Sequence, residues 1–331
     1  MHRETLVIVT PALASANNGN WQTARRWASR LRPAYRVHLT DRWAGDAGVD
    51  AALMIALHAR RSAGSIVAWR EAHPARPLML VLTGTDLYRD IAFDDEARRS
   101  LDLADVLVVL NEVGAMGLPE RLRARARVVL QSCSERQALP KTRQHLRALM
   151  VGHLRDEKDP RTWWRAVNRL AARADMRFDH IGAALDPSLG AEAAALTSKV
   201  PAFRWLGGLA HGVVRRHIQA AHVLVHASRM EGGAHVVIEA IRSGTPVLAS
   251  RIPGNVGMLG ADYGGYFALD DAPALAQLLL RCRDERARPE GLYALLQRQC
   301  AARAPLFAPQ AESAAVQALV RSLLPAPPAS R

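Results

Sequence analysis

Cysteine is scarce in this chain: Cys133, Cys282 and Cys300 are the three among 331 residues. They form no Cys-x-x-Cys pair and no metal-ligand spacing, which argues against a disulfide scaffold or zinc site and for a reducing compartment. A cytoplasmic location is the matching expectation. No apolar run reaches the ~18 residues of a membrane span. Asp-x-Asp occurs nowhere, so a carboxylate-chelated metal has no support. No Gly-x-Gly-x-x-Gly follows an apolar run, which weakens a nicotinamide or flavin reading. The sequence therefore leads us to expect neither a metal nor a resident cofactor. Acidic residues are the minority, 31 against 44 Lys and Arg, for a net charge of +13. That balance favours an anionic partner, whether nucleotide, phosphate, nucleic acid or acidic lipid. The arginines are spread without a block of five or six, so a solvated basic surface accounts for the charge equally well.

What is present describes a globular protein: 49% hydrophobic and 23% charged residues, in a chain long enough for two domains. The start, Met-His-Arg before LVIVTPALASA, has the outline of a signal peptide. Glu4 in its basic part and Pro11 in its apolar part favour a first buried strand instead. Apolar runs at 6–10, 36–39, 50–59, 77–84, 106–111 and 127–131 alternate with helical patterns, and each connection is long enough for a crossover. LPKTRQHLRA, 139–148, reads as a linker. Strand patterns resume at 149–154, 177–182 and 203–208, and a helical stretch occupies 310–324. These patterns predict an α/β chain with parallel sheets in two halves and a ligand cleft between them.

The helix after the first strand places Trp21, Ala24, Trp27, Ala28 and Leu31 on one face and Arg25, Arg26, Arg30 and Arg32 around the other. Such a helix either packs its Trp face inward or lies on acidic lipid; the first is the expectation.

The organising stretch is VLVHASRMEGGAHVVIEAIRSGTPVLASRIPG, Val223 to Gly254. It reads as strand, glycine-bearing loop, helix, second strand and turn, with Gly244 placed to cap the helix. A loop that leaves a strand's C-terminal end and feeds a helix is where open α/β sheets bind ligands. Glu231 and Glu239 stand eight positions apart here, a little over two helical turns. Taken alone the pair is as well explained by solvated charges.

The pattern E-G-G-x5-E followed by E-A-I-x-S-G-x-P-V-L-A-S resembles the family-four retaining glycosyltransferases. The resemblance implies a GT-B fold: two facing Rossmann-like domains, parallel sheets and an interdomain cleft. It assigns Glu231 to the donor sugar's hydroxyls and Glu239 to the ribose diol. Gly232, Gly233, Ala234, His235, Gly207 and Leu209 would complete the donor site. VGHLRDEKDP resembles the family's strand-end motif, in which Arg155 and Lys158 grip the diphosphate. Fixed cations there stabilise charge on the leaving group without a metal. His153, His211, His217, His222 and His226 read as structural.

In the first half, ANNGN (16–20) and TGTDLYRD (83–90) are the loops expected to face the acceptor. The second resembles the family's His-Gly-Thr-Asp loop, with Thr83 where a histidine often stands. PGN at 253–255 departs from the family's PGG-x-x-E, and Gly257 falls near that last glutamate. With NNGNWQTARRW, TGTDLYRD and SRMEGGAHVVIEA together, the chain resembles the selenosugar synthases of selenoneine-type pathways. That implies a UDP-sugar donor, UDP-N-acetylglucosamine in the typical case, and a selenophosphate acceptor held by Asn18, Gly19, Asn20, Arg25, Thr83, Gly84, Thr85 and Asp86. The domains expected are 1–145 on the acceptor side, 146–310 for the nucleotide sugar, a helix at 311–324 crossing back, and a loose tail at 325–331. An ordinary transferase with a carbohydrate or lipid acceptor, and a non-catalytic basic binding protein, are the alternatives. No nucleic-acid partner is expected.

Overall fold

The computed structural model of the protein describes residues 3–13, 19–45 and 49–324. The chain forms two compact units. One runs up to Ser132 and is joined by the segment from Pro309; the other is Cys133–Ala308.

The first unit carries strands β1 (Thr5–Val9), β2 (Arg36–Thr40), β3 (Leu53–Leu57), β4 (Leu78–Val81), β5 (Val106–Val109) and β6 (Ala126–Val128). Its helices are α1 (Gly19–Leu31), α2 (Ala63–Ala72), the single turn α3 (Ile91–Phe93) and α4 (Asp95–Leu103). All strand pairs are parallel, in the order β2-β1-β3-β4-β5-β6. The pleat sorts side chains by parity. Leu6, Ile8, Leu53, Ile55, Met79 and Val81 meet Trp27 and Leu31 of α1, together with Val316 and Val320 from the C-terminal segment. Val7, Val9, Met54, Ala56, Leu78 and Leu80 meet Ile66 and Trp69 of α2 and Leu101 of α4. Both faces are covered, which is why the strands read as continuous apolar runs rather than alternating ones.

The second unit carries β7 (Leu146–Val151), β8 (Met176–Ile181), β9 (Phe203–Trp205), β10 (Val223–His226), β11 (Val247–Ser250) and β12 (Tyr266–Phe267). Its helices are α5 (Pro160–Arg169), α6 (Pro187–Lys199), α7 (His211–Ala220), α8 (His235–Ile241), α9 (Pro253–Leu259), α10 (Ala272–Asp284) and α11 (Leu292–Arg303). The sheet is again parallel, ordered β12-β11-β10-β7-β8-β9. The final helix, α12 (Pro309–Leu323), belongs to the first unit. Among the described residues no helix is long and apolar enough to cross a membrane.

Sheet order decides where ligands go. Strands are added in opposite directions on either side of β1/β3 in one sheet and of β7/β10 in the other. Such switch points leave a crevice outside the strands' carboxyl ends. The loops there are those following β1 and β3, and those following β7 and β10.

Two readings of the sequence change and one holds. The segment 139–148 lies inside the second unit and leads into β7, with Leu139 N donating to Gln219 O at 3.1 Å and Lys141 Nζ to Ala221 O at 2.5 Å. The turn read at RIPG is the start of α9, with Pro253 in the first turn, where its missing N–H costs nothing. Trp27 packs inward, as expected, at 0% exposure.

Candidate functional site

The loop after β7 begins at Gly152 and is pressed against Gly182, where a Cβ would stand 1.8 Å from the Gly152 carbonyl oxygen. Only glycine fits such a backbone approach. The loop then makes a short turn, Asp156–Lys158, and ends at Asp159 in the left-handed region (φ 46°). Asp159 caps α5, accepting from Thr162 N at 3.2 Å and Thr162 Oγ1 at 2.7 Å. The cap fixes Lys158, whose Nζ donates to Glu231 Oε1 at 2.5 Å.

Glu231 comes from the loop after β10, so the switch point has brought the two loops together. Gly254 seats it: a Cβ there would meet the Glu231 carbonyl oxygen at 1.9 Å. His226 Nε2 is 3.4 Å from Glu231 Oε1. Burial pushes the Glu231 carboxyl toward protonation, but the Lys158 ammonium and His226 outweigh it and hold the acid well below the usual range. A desolvated ion pair is poor evidence for stability and good evidence for a site.

The second carboxylate, Glu239 on α8, is 4% exposed. Its Oε1 is 2.5 Å from His211 Nε2, 3.2 Å from His235 Nδ1 and 3.8 Å from Arg215 Nη1. Burial again opposes ionisation, and the two histidines overcome it, leaving a pKa of about 2. In return, the bond to Glu239 raises His211 above its ordinary 6.5, against its partial burial. Buried Arg215 is held by Ser134 O at 3.0 Å and Ser243 Oγ at 3.4 Å.

The two loops are tied a second time. Arg229 N donates to Glu157 O at 2.9 Å, and its guanidinium grips Asp270 with bonds of 2.9 and 2.5 Å while lying 3.4 Å from Asp159 Oδ2. Asp270, like Asp159, has positive φ (62°).

The remaining donor-side residues fall as follows. Arg155 is exposed on extended backbone, and its carbonyl accepts from Lys158 N at 3.0 Å. Gly232 is buried, Gly233 is half-buried, and Ala234 precedes α8 without a capping side chain. Gly207 takes φ 64° after β9 and accepts from Gly182 N at 2.8 Å; Leu209 is 36% exposed. His153 accepts from Ala183 N at 3.1 Å; burial, then Arg155 and Lys158, lower its pKa. His211, read from sequence as structural, instead touches Glu239. The two lie 28 positions apart, and no local pattern announces the contact.

In the first unit, Asn18 lies outside the described residues. Gly19 and Asn20 open α1, and Arg25 is exposed on it. Arg26, on the basic side of the same helix, is engaged within the unit: its Nε lies 3.4 Å from Glu312 Oε2. Arg30 also pairs with Glu312, a buried residue of α12 that accepts from Trp27 Nε1 at 2.9 Å and Ser132 Oγ at 2.7 Å. Asp86 is fully buried and organises the loop rather than facing an acceptor. Its Oδ1 takes Thr83 N and Oγ1, each at 2.8 Å, and its Oδ2 takes Ala59 N at 2.9 Å. Thr83, Gly84 and Thr85 are half-buried. Thr85 Oγ1 is 3.1 Å from His58 Nε2, a residue the sequence did not single out.

Residues 145–285 match the family model described as "Glycosyl transferases group 1". No curated protein matches the chain significantly. Among solved structures, sucrose-phosphate synthase from Thermosynechococcus elongatus is 17% identical, with a TM-score of 0.75 over 97% of this chain and 99% of that one. HepE of Anabaena in complex with UDP and glucose is 14% identical, TM-score 0.75, over 97% and 100%. The pneumococcal O-GlcNAc transferase GtfA, solved with UDP and GlcNAc, is 18% identical, TM-score 0.63, over 82% and 56%. At these identities the likeness establishes the fold, two parallel α/β units of the GT-B class.

Proposed function

We propose that the protein transfers a sugar from a UDP-sugar donor bound to the second unit. The observation that carries this is the placement of two buried, ionised carboxylates on one strand–loop–helix unit at a switch point, with Lys158 against the first. The group 1 glycosyltransferase match spans both carboxylates and Lys158. The UDP in the names of two structural neighbours supports the nucleotide.

In this reading Glu239 accepts from the ribose diol. Glu231 and the Gly232–Gly233 backbone hold the sugar. Lys158 and Arg155 meet the charge that builds on the β-phosphate as the bond from the anomeric carbon breaks, which removes the need for a divalent ion. The Lys158–Glu231 contact then has a use before the donor arrives: it keeps the Glu231 carboxylate ionised in a desolvated site.

The acceptor we propose is selenophosphate, with UDP-N-acetylglucosamine as donor. The selenium lone pair attacks the anomeric carbon, the C–O bond to the diphosphate breaks, and its electron pair leaves with UDP. This part rests on the resemblance carried by NNGNWQTARRW, TGTDLYRD and SRMEGGAHVVIEA. Mass spectrometry after mixing the protein with UDP-sugars and selenophosphate, thiophosphate or simple glycans tests it. A C–Se product supports the full reading. Transfer to a glycan alone removes selenophosphate and leaves an ordinary sugar transferase, the reading closest to the names of the structural neighbours. No UDP binding removes the donor site.

A further inference from the structure

His58 closes β3, one of the two strands at the first unit's switch point. It is 1% exposed and takes φ 73°, a conformation few non-glycine residues adopt. The turn is over-determined: His58 N donates to Val81 O at 2.9 Å, Ser62 N to His58 O at 3.1 Å, and Ser62 Oγ to Leu57 O at 2.6 Å. An observed outlier so firmly held points to a role for the side chain it aims.

The hydrogen bonds assign the ring's proton. Nδ1 accepts the N–H of Arg61 at 3.4 Å. An accepting nitrogen carries no hydrogen, so the neutral ring has its proton on Nε2. Burial, the largest influence, lowers the His58 pKa and favours that neutral ring. Nε2–H points at Thr85 Oγ1, 3.1 Å away. Thr85 thus accepts from His58 and keeps its own hydroxyl hydrogen to donate. Among the described residues no protein group takes that hydrogen. Its neighbour is different: Thr83 Oγ1 already donates to Asp86.

In this tautomer His58 donates to Thr85 rather than drawing a proton through it. The dyad suits an acceptor that arrives already ionised and offers oxygens to a donor. The local charge agrees. Asp86 is engaged by backbone and Thr83, Asp90 is bound by Arg60 Nε and Arg89 Nε at 3.0 Å each, and Arg61 is exposed beside them.

We infer that the carboxyl ends of β3 and β4 form an oxyanion subsite of the first unit, in which His58 is a positioning residue that holds Thr85 as donor to a phosphate-type acceptor. This deepens the transferase reading and rests on it. The test uses the intact protein with UDP-N-acetylglucosamine and, as acceptors, selenophosphate, thiophosphate and glucose. T85V should raise the KM for both anions by about tenfold or more, and T85S should recover most of it, while the UDP dissociation constant moves by less than about twofold. H58F should raise the same KM with kcat little changed, because the hydroxyl is released rather than lost. Nitrogen NMR of the His58 ring should show the Nε2–H tautomer. An unmoved KM in T85V and H58F, an Nδ1–H ring, or glucose preferred over both anions would overturn the subsite. Absence of UDP binding by the wild type would instead overturn the transferase reading. Circular dichroism of each variant separates a lost contact from a lost fold, and H58F, which keeps the Thr85 hydroxyl but removes its partner, keeps the proposal open to refutation if T85V misfolds.

Discussion

At Glu239 the oxygen proposed to hold the ribose is already occupied. His211 Nε2 sits on Oε1, with His235 Nδ1 and Arg215 Nη1 on the same atom. His211 is the exposed member, its side chain 68% accessible, and so the one a ligand can displace. Its pKa is raised above 6.5 by Glu239, whereas Glu239, at about 2, stays ionised across the neutral range. Displacing His211 returns it toward 6.5 and releases a proton. UDP affinity should therefore be lowest and flat below pH 6.5, climb as pH rises toward the raised value, and level off above it. Calorimetric titration of UDP between pH 5.5 and 8.5, in buffers of differing ionisation heat, should show this climb in the wild type and lose it in H211A. An identical slope in H211A would assign the proton elsewhere. E239Q should weaken UDP by about 1.5–3 kcal/mol, roughly ten- to a hundredfold, as a charge-assisted acceptor becomes a neutral one. E239A is the poorer variant, because it also removes the side-chain oxygen that faces buried Arg215, which the glutamine amide keeps.

The unit that matters at the next scale is the pair of loops after β7 and β10. Lys158 and Glu231 are both largely buried, with side chains 19% and 11% exposed. Replacing one partner leaves a desolvated charge, so K158M should destabilise the second unit by about 3–5 kcal/mol. K158M/E231Q should recover much of that loss without recovering transfer. Denaturant melts of the four proteins check the cycle, and equal stability of single and double variants would show the pair to be solvated in solution. These loops were partly legible in the sequence. Strand–loop–helix periodicity and Gly244 as cap suffice to place Glu231 and Glu239, and Gly244 does take φ 67° with its N–H on Ile241 O at 3.2 Å. Two things escaped. The reach of His211 to Glu239 depends on how α7 packs beside α8, a tertiary fact without local pattern. Proline and basic residues at 139–148 resemble a linker because composition alone does not show how firmly the segment is held: Thr142 O, for example, lies 3.0 Å from His222 Nε2.

The whole chain carries +13, yet its first basic helix is not a free polycationic face. Arg26 and Arg30 of α1 converge on Glu312, which α12 carries back from the end of the chain. The carboxylate also takes Trp27 Nε1 and the backbone N–H of Ser132, at 2.9 and 3.0 Å. One buried acid therefore fastens the terminal helix, the first helix and the last segment of the first unit, over a seam that includes Leu31, Val316 and Val320. Burial favours the neutral acid, but Arg26 and Arg30 outweigh it and lower the Glu312 pKa. A depressed carboxylate contributes stability that is present above its unfolded value near 4.5 and lost as pH falls through the folded value. Two units with separate cores need not melt together. E312A should thus lower the first unit's transition by about 3–5 kcal/mol of stability at pH 7, with a smaller deficit in strong acid, where the wild-type carboxylate is also neutral. UDP binding, assigned to the second unit, should be unchanged at temperatures below that transition. Differential scanning calorimetry with and without UDP reads both halves of the prediction. A single transition that UDP and E312A shift alike would mean that the units unfold as one, and that the terminal helix secures the donor site as much as the unit it packs on.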